Sequence, residues 1–138
     1  WHPEFNRRRI FVSDLGSKFT VPSMPEPVLT PSASFSSAIS QNLACVEEVV
    51  PPGGRHLGRR MVWKNPTAPC RLKAIAFGNS FFERGGNEAG LSWWAARYFA
   101  EFHFFWKPEI DLEYVDAVKP DLVIAQSIER FLALVPES

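Results

Sequence analysis

Residues 71–82 read Arg71-Leu72-Lys73-Ala74-Ile75-Ala76-Phe77-Gly78-Asn79-Ser80-Phe81-Phe82, and this stretch decides the fold. Leu72 to Phe77 is a short apolar run, the pattern of a strand covered on both faces. It breaks at once into Gly78-Asn79-Ser80. A polar loop, Glu83-Arg84-Gly85-Gly86-Asn87, follows, and Leu91, Trp94, Ala95, Tyr98 and Phe99 then recur at helical spacing, which predicts a helix over 91–101. Strand, tight turn and helix together lift a serine hydroxyl to the edge of a sheet. Ligands of open α/β sheets bind just past the carboxyl ends of strands. Ser80 is therefore the first candidate for chemistry.

Downstream, the alternation continues. Phe102–Trp106 reads as the next strand and Pro108 closes it. A second helix is expected over 108–118, with Ile110, Tyr114, Val115 and Val118 on one face. Lys119-Pro120 ends it, because the residue before proline avoids the α region. Asp121–Gln126 reads as a third strand, and 128–134 as a short helix or turn. Strands alternating with helices predict an α/β fold with a parallel sheet.

Upstream, Leu43–Val50 and Arg59–Lys64 read as a β hairpin around the turn Pro51-Pro52-Gly53-Gly54. Residues 1–42 read as an extended Pro/Ser-rich arm, and 43–138 as the α/β domain. In the arm, Ile10-Phe11-Val12 suggests a short strand after the solvated run Arg7-Arg8-Arg9, and Asp14-Leu15-Gly16 a turn. Pro22, Pro25, Pro27 and Pro31 exclude a helix or a central strand there.

The chain has 138 residues, 46% of them hydrophobic, enough for one packed domain. Its 15 Lys and Arg balance 15 Asp and Glu, so no basic surface points to nucleic acid. No apolar run approaches the roughly 20 residues of a membrane-spanning helix. The first residues, WHPEFNRRR, lack the apolar core of a signal peptide. The chain opens without methionine, and upstream sequence is expected. Cys45 and Cys70 have no metal-site spacing; isolated thiols of this kind are more often small buried hydrophobes than a bridge. No cofactor is expected, and no G-K-[ST] follows the glycines to make a phosphate loop.

Each candidate residue carries two readings. Ser80 is a nucleophile if a base stands beside it, or simply the cap of a βα turn. Gly78 allows a sharp turn where a side chain would clash. Asn79 shapes that turn through its own amide, or points at a bound carbonyl. Gly85, Gly86 and Asn87 close over a substrate, or form a plain turn. His103 reads as a buried, satisfied residue. His56 reads as solvated, and His2 lies at the terminus. Gln126 stands at a strand end where it can donate to a substrate oxygen, and Glu129 and Arg130 pair to pin the last turn.

Two segments taken together resemble the SGNH-hydrolase-like domain of the alginate O-acetyltransferase family. Ala76-Phe77-Gly78-Asn79-Ser80-Phe81 is similar to that family's G-D-S-F block. Lys119-Pro120-Asp121-Leu122-Val123-Ile124, running to Ile128-Glu129-Arg130-Phe131-Leu132, is similar to its K-P-D-x-V and E-R-x-L close. The resemblance covers roughly 55–134, with Asp14-Leu15-Gly16-Ser17-Lys18-Phe19 as a trace upstream. It implies a three-layer α/β/α, flavodoxin-like domain, incomplete here at its N-terminal side. It implies a serine that passes an acetyl group to a polysaccharide hydroxyl, or hydrolyses such an ester, outside the cytoplasm, commonly the periplasm. The partners it implies are the polysaccharide, an acyl donor and a membrane-bound acyl-transfer protein. Ser80 takes the role of nucleophile and its backbone N–H that of an oxyanion donor; with the family's own base missing, His56 or His2 of this chain is left to act as base. Asn79 replaces the family's Asp, and the family's Asp-x-His pair has no counterpart in this chain. The rival expectation is a carbohydrate-binding or assembly domain without catalysis, with Trp93, Trp94 or Trp106 stacking on sugar rings.

Overall fold

The computed structural model describes residues 2–12, 25–54, 56–83 and 86–127. The side chains of 7–12 and 25–28 also lie outside this description, so the surroundings of the arginine run do too. The chain divides into two compact units, 1–38 and 39–138.

In the first unit, β1 (Phe5–Val12) and β2 (Pro25–Pro31) pair as a two-stranded antiparallel ribbon. The extended, proline-rich half of the arm is thus an edge strand, which the exclusion of a helix or a central strand leaves open. Parity explains how β2 tolerates three prolines. Ser32 N–H donates to Glu4 O (2.8 Å), so even-numbered residues of this strand direct their N–H groups at β1. Pro25, Pro27 and Pro31 are odd-numbered and occupy the outward side, where no ladder donor is needed. Helix α1 (Ala33–Ser40) follows, its first turn capped by Ser32 Oγ accepting from Phe35 N–H (3.2 Å). The serine-rich ASFSSAIS has little helical signal, which is why the helix was not expected. The turn at 14–16 lies outside the described residues.

The second unit is built on a five-stranded sheet of order β3-β4-β6-β5-β7. Its strands are β3 (Ala44–Val49), β4 (Arg60–Lys64), β5 (Cys70–Gly78), β6 (Phe99–Trp106) and β7 (Leu122–Ala125). Helix α2 (Leu91–Tyr98) joins β5 to β6, and α3 (Leu112–Val118) joins β6 to β7. The molecule is α/β, as expected. The sheet is mixed instead of all-parallel: β5, β6 and β7 are parallel, but β4 runs antiparallel to β6. The hairpin therefore belongs to the same sheet. Met61 and Val62 point to opposite faces and are both 5% exposed, so both faces of β4 are covered, and it pairs with β3 on one edge and β6 on the other. Helix α2 ends three residues earlier than expected, and β6 begins at Phe99. No glycine or proline separates them; the backbone turns from helical to extended at Phe99 (φ −94°, ψ 146°).

The two faces are distinct. Met61, Ala74, Ala76, Phe82, Phe102 and Phe104 form one apolar cluster with Ala96 of α2. His103 and Phe105 point the other way and meet Tyr114 of α3. One helix thus covers each face. Asp111 caps α3 by accepting from Tyr114 N–H (3.0 Å), and Lys119, left-handed at φ 51°, ends it before Pro120.

Asn65 joins the end of β4 to the α2–β6 junction. It is 2% exposed. Its Nδ2 donates to Arg97 O (3.1 Å), and its Oδ1 accepts from Thr67 N–H (3.1 Å) and Thr67 Oγ (2.9 Å). Asn65→Ala strands buried polar partners and is expected to cost about 2–3 kcal/mol. A shift of the urea midpoint at constant slope measures it.

Candidate functional site

The spatial order β6-β5-β7 means the chain leaves β5 on one side and returns on the other. The carboxyl ends of β5 and β7 flank the point where that direction reverses, the place where open α/β sheets leave a crevice. Gly78 closes β5 there and Gln126 follows β7. A Cβ at Gly78 would lie 3.0 Å from Phe82 Cβ, 3.2 Å from Gln126 Oε1 and 3.3 Å from Phe104 Cε2. Glycine stands here because three neighbours press on the backbone.

Asn79 then builds the turn. Its N–H donates to Gln126 Oε1 (3.2 Å), and its Oδ1 accepts from Phe81 N–H (3.0 Å). Its carbonyl accepts from Phe82 N–H (2.9 Å) and Glu83 N–H (3.1 Å). Gln126 N–H in turn donates to Phe77 O (2.8 Å). Phe82 enters the core, its ring stacked 5.6 Å from Phe104 and 6.2 Å from Phe102. With the turn fixed at both ends, Ser80 and Phe81 are left in solvent, Phe81 at 68% exposure. No described residue hydrogen-bonds the Ser80 hydroxyl.

The loop beyond is held by a residue the sequence did not single out. Glu83 is 2% exposed and accepts from Gly86 N–H (2.6 Å) and from Ser92 Oγ. Burial pushes its carboxyl above the usual range, against the pull of the Gly86 N–H. Asn87 Oδ1 accepts from Ala89 N–H (3.0 Å), and Asn87 O from Gly90 N–H (3.0 Å). The Gly86 N–H and the Asn87 carbonyls are thus spent on shaping the loop. Gly85 lies outside the described residues, as do Glu129 and Arg130.

His56 stacks on Trp106, ring centroids 4.6 Å apart, and Trp106 pairs with Gly78 in the β5–β6 register. The imidazole therefore lies on the same rim as Ser80, two strands' breadth from Gln126, without a hydrogen bond to the serine. His2 belongs to the other compact unit. Trp93 gives a ring face to the Arg97 guanidinium at 3.6 Å, and Trp94 donates to Glu88 O (3.0 Å). Both cysteines are free; Cys45 is exposed on edge strand β3, so the expectation of a buried thiol is corrected there. Among the described residues no three His, Cys, Asp or Glu side chains gather into a metal cluster, and no helix is long and apolar enough to cross a membrane.

His103 is buried and satisfied. Its Nδ1 meets Tyr114 Oη (2.7 Å) and its Nε2 meets Glu101 Oε1 (2.9 Å). Burial lowers its pKa from the ordinary 6.5, and the hydrogen bond and charge of Glu101 oppose the fall. Facing this group are Glu101 on its own strand, Lys73 on β5, Lys64 on β4, Glu47 on β3 and Tyr114 on α3. The native state holds its proton less tightly than the unfolded chain. The stability tied to His103 is therefore complete above pH 6.5 and declines as pH falls below it. His103→Gln is expected to remove that decline, seen as a flatter dependence of unfolding free energy on pH between about 6.5 and the lowered value, at most about 1.4 kcal/mol per pH unit.

The fold and rim define an α/β protein with a serine-bearing turn at the reversal point of its sheet. Compared with protein families, with curated proteins and with solved structures, the chain shows no match.

Proposed function

We propose that this chain is a serine-dependent acyl-transfer domain of the SGNH-like class, moving an O-acetyl group onto or off a cell-envelope or secreted polysaccharide. One observation carries the reading: the turn at the carboxyl end of β5 is pinned by Asn79 and Phe82 and yet leaves the Ser80 hydroxyl exposed and unpaired among the described residues. A fold that needed Ser80 as a cap would have bonded it.

In the proposed reaction, Ser80 Oγ attacks the carbonyl carbon of an acetyl ester, and the carbonyl π pair moves onto oxygen. The proton of Oγ passes to an imidazole base and from it to the departing alcohol oxygen as the carbon–oxygen bond breaks. A glycan hydroxyl, or water, then attacks acetyl-Ser80 and restores the serine. His56 is the described imidazole on this rim, 4.6 Å from Trp106 by ring centroid. Its stacking leaves it to reach Ser80 by rotation of the loop that carries it. The three-layer arrangement, the periplasmic setting, the acyl donor and a membrane-bound acyl-transfer partner belong to this reading as well.

Treatment of the protein with a fluorophosphonate, followed by peptide mass spectrometry, tests it. Adduct on Ser80 is expected. Glycan binding without adduct or turnover would replace acyl transfer with a binding role.

A further inference from the structure

We infer that the exposed ring of Phe81 is the surface on which the sugar ring of the substrate stacks, which makes Phe81 a specificity-determining residue. The inference rests on the acyl-transfer reading above and names a part of that same site.

An inventory of the aromatic side chains leads to it. The tryptophans expected to stack on sugar already have neighbours. Trp93 gives a face to the Arg97 guanidinium at 3.6 Å and meets Trp94 edge-on at 4.8 Å. Trp94 donates its Nε1–H to Glu88 O (3.0 Å). Trp106 is stacked by His56 at 4.6 Å and lies edge-on to Phe104 at 6.0 Å. Phe81, at 68%, is the most exposed Phe, Tyr or Trp among the described residues, and no described ring or cation lies against it.

The fold has no use for this ring. At position 81 the turn takes only a backbone N–H, given to Asn79 Oδ1 (3.0 Å), and the core takes the next side chain, Phe82, at 5% exposure. A polar residue at 81 would make the same turn without holding an apolar ring in water.

The place of the ring says what it meets. Asn79 O accepts from Phe82 N–H and Glu83 N–H, so Ser80 and Phe81 are successive positions of one helical turn. Their Cα atoms are about 3.8 Å apart and their side chains about 100° apart around its axis. Both are exposed. An acetyl group on Ser80 Oγ ends in one methyl group and extends no further. The part of the ester that spreads beyond the hydroxyl is the alcohol, here the sugar. A pyranose ring carries C–H groups on its faces, which suit the electron-rich face of a phenyl ring.

Wild type, Phe81→Ala and Phe81→Tyr are compared in acetate release from two esters, an O-acetylated methyl glucoside and ethyl acetate, with thermal unfolding and size-exclusion chromatography alongside. For Phe81→Ala, kcat/KM on the sugar ester is expected to fall about tenfold, through KM at unchanged kcat, while ethyl acetate hydrolysis and the unfolding midpoint stay as in wild type. Phe81→Tyr keeps the ring and is expected to restore the sugar ester. A ratio between the two esters that Phe81→Ala leaves unchanged, whether both rates hold or both fall, would overturn the inference and leave the acyl-transfer reading in place. A dimer dissolved by Phe81→Ala at that unchanged ratio would give the ring to a second copy of the chain and overturn it too. A wild type with neither turnover nor fluorophosphonate label at Ser80 would remove the acyl-transfer reading and the inference together.

Discussion

Ser80→Ala is expected to abolish ester turnover, with a loss of at least about a thousandfold, while the unfolding free energy stays within about 0.5 kcal/mol of wild type. The two halves of this result have one cause. The Ser80 hydroxyl is exposed and bonds to no described residue, so its removal takes nothing from the fold. The turn is kept by Asn79 and by Phe82 in the core. A serine acting as a cap behaves in the opposite way, because losing a cap costs about 1 kcal/mol. Paired measurement of p-nitrophenyl acetate hydrolysis and urea unfolding therefore separates nucleophile from cap in one variant. Retained turnover would place the nucleophile elsewhere.

The parts of this structure that were legible in the sequence are those set by short-range pattern. Leu72–Phe77 announced β5, and the break at Gly78-Asn79-Ser80 announced the turn that follows it. The spacing of Leu91, Trp94 and Ala95 announced α2, and Pro51 to Gly54 announced the β3–β4 hairpin. What stayed hidden depends on partners distant in the chain. Nothing local says that β4 adds to β6, because the signal is that Met61 and Val62 are buried on opposite faces of the assembled sheet. The junction at Tyr98 and Phe99 has no breaker, so an aromatic strand looked like the end of a helix. The ribbon β1–β2 was masked by prolines whose common parity matters only once the pairing is known.

The candidate site divides along the same line. Gly78, Asn79 and Ser80 were readable as a turn at a strand end. Gln126 was readable only as a strand-end residue; its bond to Asn79 N–H crosses 47 positions of the chain. Glu83 had no signal, since its burial comes from Ser92 and Gly86 folding back over it. His103 was expected to be satisfied; Glu101 is two residues away on the same strand, but Tyr114 becomes a partner only when α3 is laid across β6.

Phe104→Ala is expected to be the most destabilising single change in the core, by about 3–5 kcal/mol, measured as a drop in the urea midpoint at constant slope. Phe104 is 0% exposed. It lies between Met61 of β4 and Ala76 of β5 in the sheet register, with Phe82 stacked at 5.6 Å and Trp106 edge-on at 6.0 Å. Truncation removes the aromatic partner of both and opens a void that strands on either side cannot close without breaking their ladders. A domain of ordinary stability, about 5–15 kcal/mol, loses much of its margin to such a change. The same void also lies under the candidate site, because Phe104 Cε2 is one of the atoms pressing on Gly78 and Phe82 is the inner anchor of the serine turn. The loss of turnover in Phe104→Ala should therefore exceed the fraction of chain unfolded, as the turn loosens in molecules that remain folded. A Phe104→Leu variant refills most of the volume and is expected to recover most of the stability, to within about 1–2 kcal/mol of wild type. If turnover returns together with stability in Phe104→Leu, packing beneath Gly78 is what holds Ser80 in place. If stability returns and turnover does not, the flat aromatic face against Phe82 sets the geometry of the turn.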